Sequence, residues 1–152
     1  MKYFFQKEII MPDFLECAVE LVNNKLGFKG TAGDNPPITL DYVPPLGDGQ
    51  GYMPMQLLLM SLASCSGSTI VSILRKKRKT VTSFNARAKG YRREQHPTSF
   101  HKIELFFELV SPDAQDSDIT RAIQLTEEAF CPVWDNLRGN CEVSTEYKII
   151  VA

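Results

Sequence analysis

The alternation of apolar and polar positions divides this chain into short extended pieces and two long helical ones. Residues 14–22, FLECAVELV, mix apolar and charged positions at roughly period two and predict a strand. NNKLG then supplies a turn, and FKGTAG begins a second strand. PPITLDYVPP is bracketed by proline pairs that forbid a helix, so it predicts a short third extended piece. LGDGQGYMP reads as a flexible loop with three glycines, and its Pro54 suits the first turn of a helix. From Met55 to about Lys77 the residues Leu57, Leu58, Leu59, Met60, Leu62, Ala63, Ile70, Val71, Ile73 and Leu74 surround most of a helix. Such a helix is expected to be central, covered on every face. RKKRK, residues 75–79, reads as its solvated end, with cations at the negative pole of the helix dipole.

The second half alternates again. TVTSFNARAKGYRRE and FHKIELFFELVS predict two strands joined by QHPTS, with Ile103, Leu105, Phe107 and Leu109 on one face. Ser111-Pro112 ends the second of them. DSDITRAIQLTEEAF opens with capping residues and carries Ile119, Ala122, Ile123 and Leu125 at helical spacing, predicting a helix up to Cys131-Pro132. VWDNLRGN makes a short further turn closed by Gly139, and CEVSTEYKIIV predicts a last strand. The order β-β-β-α-β-β-α-β describes an α+β architecture, antiparallel sheets around a long central helix, as a single domain over residues 1–152.

Composition narrows the function classes. The 152 residues, 43% hydrophobic, suffice for a core without disulfide help. A net charge of −1 gives no global attraction for nucleic acid or an anionic membrane. The N-terminal MKYFFQKEIIMP has Lys7 and Glu8 inside too short an apolar stretch for a secretory signal. No run is read as reaching the roughly 20 apolar residues of a membrane span. A soluble cytoplasmic protein is therefore expected. Cysteines 17, 65, 131 and 141 form no C-x-x-C pair, and His96 and His101 are the sole imidazoles, so no metal site is expected.

The chemistry in the chain lies with its thiols. Cys65 sits mid-helix among Ala63, Ser64, Ser66, Gly67 and Ser68, small neighbours that leave room for another helix or a substrate. Cys131 stands where Pro132 makes a helix stop. Two readings are open from the residues alone. Each cysteine serves as a small buried hydrophobe, or the two meet and cycle through sulfenic acid and disulfide. Cys17 and Cys141 fall on predicted strands and read as core thiols, His96 as a surface turn residue, and Trp134 as an interface or pocket wall.

The segment GYMPMQLLLMSLASCSGSTIVSILRKKR, followed by CPVWDNLRG and a terminal strand, resembles the family of osmotically induced protein C and organic hydroperoxide resistance proteins. The resemblance spans residues 13–151, and EQHPTSFHKIEL and EYKI bring it nearest a less characterised bacterial branch. It implies an intertwined homodimer with sites near the subunit boundary. It also implies a cofactor-free reduction of organic hydroperoxides, with Cys65 as the attacking thiol, Cys131 as the resolving one, and a thiol or lipoyl-type reductant. The alternative within the same fold is a non-catalytic member that binds a small ligand or senses redox state. The family's peroxidases use an arginine from the N-terminal strands and a glutamate after the helix-opening proline. Here Met55 follows Pro54, with Gln56 beside it, and no arginine precedes Arg75. Lys25 and Lys29 are the cations of the corresponding stretch. Met55, Gln56, Lys25, Lys29 and Arg138 are thus the positions expected to meet a substrate.

Overall fold

A computed structural model describes residues 13–152, so the N-terminal MKYFFQKEIIMP lies outside the described residues. The chain divides into two compact units, Met1–Pro54 and Met55–Ala152.

In the first unit, β1 (Ala18–Leu21), β2 (Phe28–Thr31) and β3 (Ile38–Leu40) form an antiparallel sheet in sequence order. Ala18 faces Thr31 and Phe28 faces Leu40, so the NNKLG turn and the proline-bracketed strand fall where the pattern places them. β1 is shorter than FLECAVELV, and Cys17 lies just before it, exposed, where a core thiol was expected. A four-residue strand with every position exposed has no buried face to hold a thiol. The loop read as flexible is instead organised by the buried Asp41. Its carboxylate accepts from the backbone N–H groups of Tyr42 (2.8 Å), Asp48 (3.0 Å) and Gln50 (3.1 Å). Those donors hold the carboxyl below the usual carboxylate range, the Gln50 N–H foremost. Glycine at 47 is what lets the turn close, because a Cβ there would overlap the Asp41 carboxylate and the Tyr42 carbonyl.

The second unit takes in α1 (Pro54–Lys76) from its second residue and continues through β4 (Ser83–Arg92) and β5 (Phe100–Val110). Then come α2 (Asp116–Leu125), a π-helical turn (Thr126–Phe130), α3 (Pro132–Leu137) and β6 (Glu142–Ile150). Its sheet has the order β4-β5-β6. β4 and β5 pair antiparallel, but β5 and β6 run parallel, from Lys102 beside Glu142 to Val110 beside Ile150. This corrects the expectation of purely antiparallel sheets. A parallel neighbour needs a long crossover, and α2 with α3 provides it. Strict alternation along β5 sends Ile103, Leu105, Phe107 and Leu109 into the core, and Phe100, out of that phase at the register shift, is buried as well. Leu62, Ile70 and Leu74 of α1, and Ile119, Ala122 and Ile123 of α2, belong to the same core.

α1 is not covered on every face. Its buried residues are Leu62, Ser66, Gly67, Ile70 and Leu74, a single stripe. Met60, Ala63, Ser64, Ser68, Val71 and Ser72 line an open groove of about 940 Å³ that also reaches Phe84 and Ala86 of β4. One three-stranded sheet and one crossover cannot enclose a cylinder on all sides. By length and composition α1 is apolar enough to cross a membrane, contrary to the sequence expectation, but its stripe is packed into the core as in a core helix. Its end is less solvated than RKKRK suggests. Lys77 and Lys79 reach Asp118 of α2 at 2.6 and 3.1 Å. The turn closes with Lys79 N–H on the Leu74 carbonyl and Arg78 N–H on that of Arg75, with Arg78 at φ +62°.

Candidate active site

Two local devices aim the thiols at each other. Cys65 sits on α1, on the flank of the buried stripe, and is partly exposed. Cys131 is placed by the way α2 ends. The helix widens into the π turn, where the Thr126 hydroxyl donates to the Ala122 carbonyl at 2.7 Å. The Cys131 N–H then donates to the Thr126 carbonyl at 3.1 Å. Pro132 occupies the first position of α3, where a missing N–H costs nothing, and Cys131 becomes the extended residue that caps that helix. Its sulfur accepts the backbone N–H of Trp134 at 3.4 Å. At 3% exposure Cys131 is buried.

The result is that the two sulfurs, 66 residues apart in sequence, lie 2.8 Å from each other. A disulfide bond is about 2.05 Å long, so closure needs movement of less than ~1 Å. The Ser66 hydroxyl, fully buried, lies 3.7 Å from the Cys131 sulfur. Burial pushes the Cys65 thiol above its ordinary range, and the hydrogen bond from Cys131 adds to that, while the Val133 N–H opposes it. None of these influences is a cation. As a thiol, Cys65 is sheltered rather than activated by charge.

The other positions expected at the site are engaged elsewhere. Met55 and Gln56 lie in the first turn of α1, Met55 half-buried against the core. Nine residues of helix put Gln56 about 13 Å along the axis from Cys65. Lys25 pairs with Asp48 and Lys29 with Glu20 at 3.1 Å, all within the first unit. The Arg138 guanidinium donates to the Asp135 carboxylate at 3.0 Å and to the Glu127 carbonyl at 2.5 Å. Trp134 is 3% exposed and sits in the core beside Cys131. Cys141 is half-buried just before β6 and hydrogen-bonds the Glu142 carbonyl at 3.5 Å. His96 is exposed between β4 and β5, as its turn reading has it. Among the described residues no group of His, Cys, Asp and Glu is arranged to hold a metal ion.

Sequence reasoning missed three contributors: the hydroxyl of Ser66 and the backbone N–H groups of Val133 and Trp134. The Cys-Pro junction was the available signal for the last two, because a residue before an N-terminal proline commonly caps the helix. Nothing in the sequence distinguished Ser66 from its small neighbours.

Comparison with known proteins places the family and the fold. A family model described as OsmC-like protein matches residues 47–146. Protein YhfA of Escherichia coli strain K12 is 32% identical over 99 residues, which cover 65% of this chain and 74% of YhfA. A hypothetical protein from Aquifex aeolicus superposes with a TM-score of 0.80 at 28% identity, over 91% of this chain and 98% of that one. The organic hydroperoxide resistance protein OhrB of Bacillus subtilis shares the fold with a TM-score of 0.61 at 18% identity, over 89% and 98% of the two chains.

Proposed function

The chain belongs to the OsmC-like protein family, and from that premise we propose that it reduces organic hydroperoxides through a Cys65–Cys131 sulfenate and disulfide cycle, with no bound cofactor. The observation that carries the reading is the pair of sulfurs at 2.8 Å, one partly exposed and one buried. OhrB, an organic hydroperoxide resistance protein of the same fold, suggests the substrate class, organic hydroperoxides.

In the first step the Cys65 thiolate attacks the terminal peroxide oxygen. An S–O bond forms, the O–O bond breaks, and the alkoxide leaves as the alcohol after taking a proton. The Cys131 sulfur, as thiolate, then attacks the Cys65 sulfenic sulfur. The S–S bond forms and hydroxide departs as water. A dithiol of the lipoyl type restores both thiols and is itself oxidised to its disulfide. The exposed apolar residues of the first unit, among them Leu15, Val19, Leu21 and Val22, and the open face of α1 favour a homodimer as the working form. The near-neutral charge supports neither a nucleic-acid nor a membrane partner, and reduced thiols suit the cytoplasm.

A second reading is favoured by one observation: the Cys65 thiol is raised by burial, and among the described residues no cation offsets it. On that reading the same thiols sense redox state, or the scaffold binds a small ligand, with slow turnover. Intact-mass spectrometry of the reduced protein titrated with cumene hydroperoxide separates the two. Loss of two hydrogens per chain within seconds at stoichiometric peroxide, abolished in Cys65→Ser and Cys131→Ser, is the result expected for the peroxidase. No reaction at a hundredfold excess of peroxide would sink it and leave the second reading.

A further inference from the structure

We propose that Ser66 is a positioning residue for this thiol pair, its hydroxyl donating to the Cys131 sulfur and carrying part of the negative charge that sulfur acquires when the disulfide is opened. The inference rests on the disulfide cycle proposed above.

Ser66 occupies a place where a helix normally buries a hydrocarbon. It lies in one stripe with Leu62, Ile70 and Leu74 and has no exposed surface. A buried hydroxyl without a partner is destabilising, so it is expected to find one. Helical serines and threonines commonly satisfy themselves on the carbonyl four residues back. Thr69 does so on Cys65 at 3.0 Å, and Thr126 does so on Ala122 at 2.7 Å. Ser66 does not. Among the described residues its hydrogen-bond partner is the Cys131 sulfur, across from its own helix.

The Cys131 sulfur accepts the Trp134 N–H at 3.4 Å, and the Ser66 hydroxyl, 3.7 Å away, is the group placed to donate to it once that sulfur carries charge. Exposure sets the direction of chemistry. A dithiol reductant arriving from solvent meets Cys65, the partly exposed sulfur, and not Cys131. Its thiolate attacks the Cys65 sulfur, a mixed disulfide forms there, and the Cys65–Cys131 bond breaks. The electron pair goes to Cys131. Buried at 3% exposure, that sulfur has little water to stabilise the charge, and Ser66 with Trp134 takes the place of water. The reductant's second thiol then displaces Cys65 and leaves as a cyclic disulfide. Departure is faster when the leaving thiolate is better stabilised.

The test uses the full chain, oxidised with diamide so that the opening step does not depend on peroxide chemistry. Opening by dihydrolipoamide is followed by rapid quench and intact mass in wild type, Ser66→Ala and Ser66→Thr. Loss of one hydrogen bond to a charged group corresponds to about a tenfold slower opening in Ser66→Ala. The peroxide step with cumene hydroperoxide should slow by less than about threefold, since it does not place charge on Cys131. Ser66→Thr, which keeps the hydroxyl, should open within about threefold of wild type. Wild-type opening in Ser66→Ala overturns the proposal. So does uniform slowing of every step with no recovery in Ser66→Thr, which marks a packing role alone. A wild-type protein that opens and closes with diamide and dithiol but ignores cumene hydroperoxide refutes the peroxidase reading, while the Ser66 comparison is still decided by the opening rates.

Discussion

Closing the Cys65–Cys131 bond should stabilise the fold by an amount the topology sets. The bond would join residues 66 apart, tying α1 to the start of α3 and enclosing the β4–β5 hairpin and all of α2. Cross-linking a loop of that length removes chain entropy from the unfolded state worth about 4 kcal/mol at 25 °C. For a chain of 152 residues this corresponds to a rise in Tm of about 10–15 °C. The assay is thermal and urea unfolding of the fully reduced and the diamide-oxidised protein at one fixed protein concentration, since self-association also shifts Tm. Cys65→Ser and Cys131→Ser should show no difference between the two conditions. Equal Tm values for reduced and oxidised wild type, with the disulfide confirmed by mass, would refute the reasoning. They would mean that the closed form strains α1 or the π turn by as much as the cross-link stabilises the fold.

The raised Cys65 thiol gives a kinetic signature: below its pKa the thiolate fraction grows about tenfold per pH unit, so peroxide oxidation should rise steeply from pH 6 to pH 8 in stopped-flow traces, and a flat profile would contradict it. Asp118 is held well below the usual carboxylate range, first by Lys77, then by the Gln115 N–H and Lys79. Its folded pKa is depressed, so its stabilisation is present above about pH 4 and fades as pH falls further through the folded value. Asp118→Asn should cost about 2 kcal/mol at pH 7 by urea unfolding and narrow the gap to wild type in acid; an unchanged midpoint at pH 7 would count against the Lys77–Asp118–Lys79 tie. Arg78 caps α1 at φ +62°, a conformation that glycine adopts without penalty. Arg78→Gly should therefore stabilise the protein by about 1 kcal/mol in the same assay, and a loss would show that the arginine side chain contributes more than its backbone costs.

Much of the architecture was legible because it follows local rules. Alternation along FHKIELFFELV marked the buried face of β5, Ser111-Pro112 ended it, and Pro54 opened α1. The thiol pair was visible through the resemblance its motifs carry. What local pattern could not reveal was partnership between distant segments. The period of two marked CEVSTEYKIIV as a strand, but its parallel pairing with β5 depends on the crossover through α2. Apolar residues around α1 said that it is hydrophobic, not how much of it one sheet can cover. Asp41 and Asp118 looked like ordinary acids until the loop amides and Lys77 with Lys79 converged on them.

The site divides along the same line. The sequence alone marked Cys65 and Cys131 as the candidate thiols, and its Cys-Pro junction set a helix stop. Tertiary structure alone decided that the two sulfurs meet, that Cys65 is half-buried while Cys131 is buried, and that a buried serine stands beside them. Exposure and hydrogen-bond partners belong to packing between elements 66 residues apart, and a one-dimensional pattern holds no record of them.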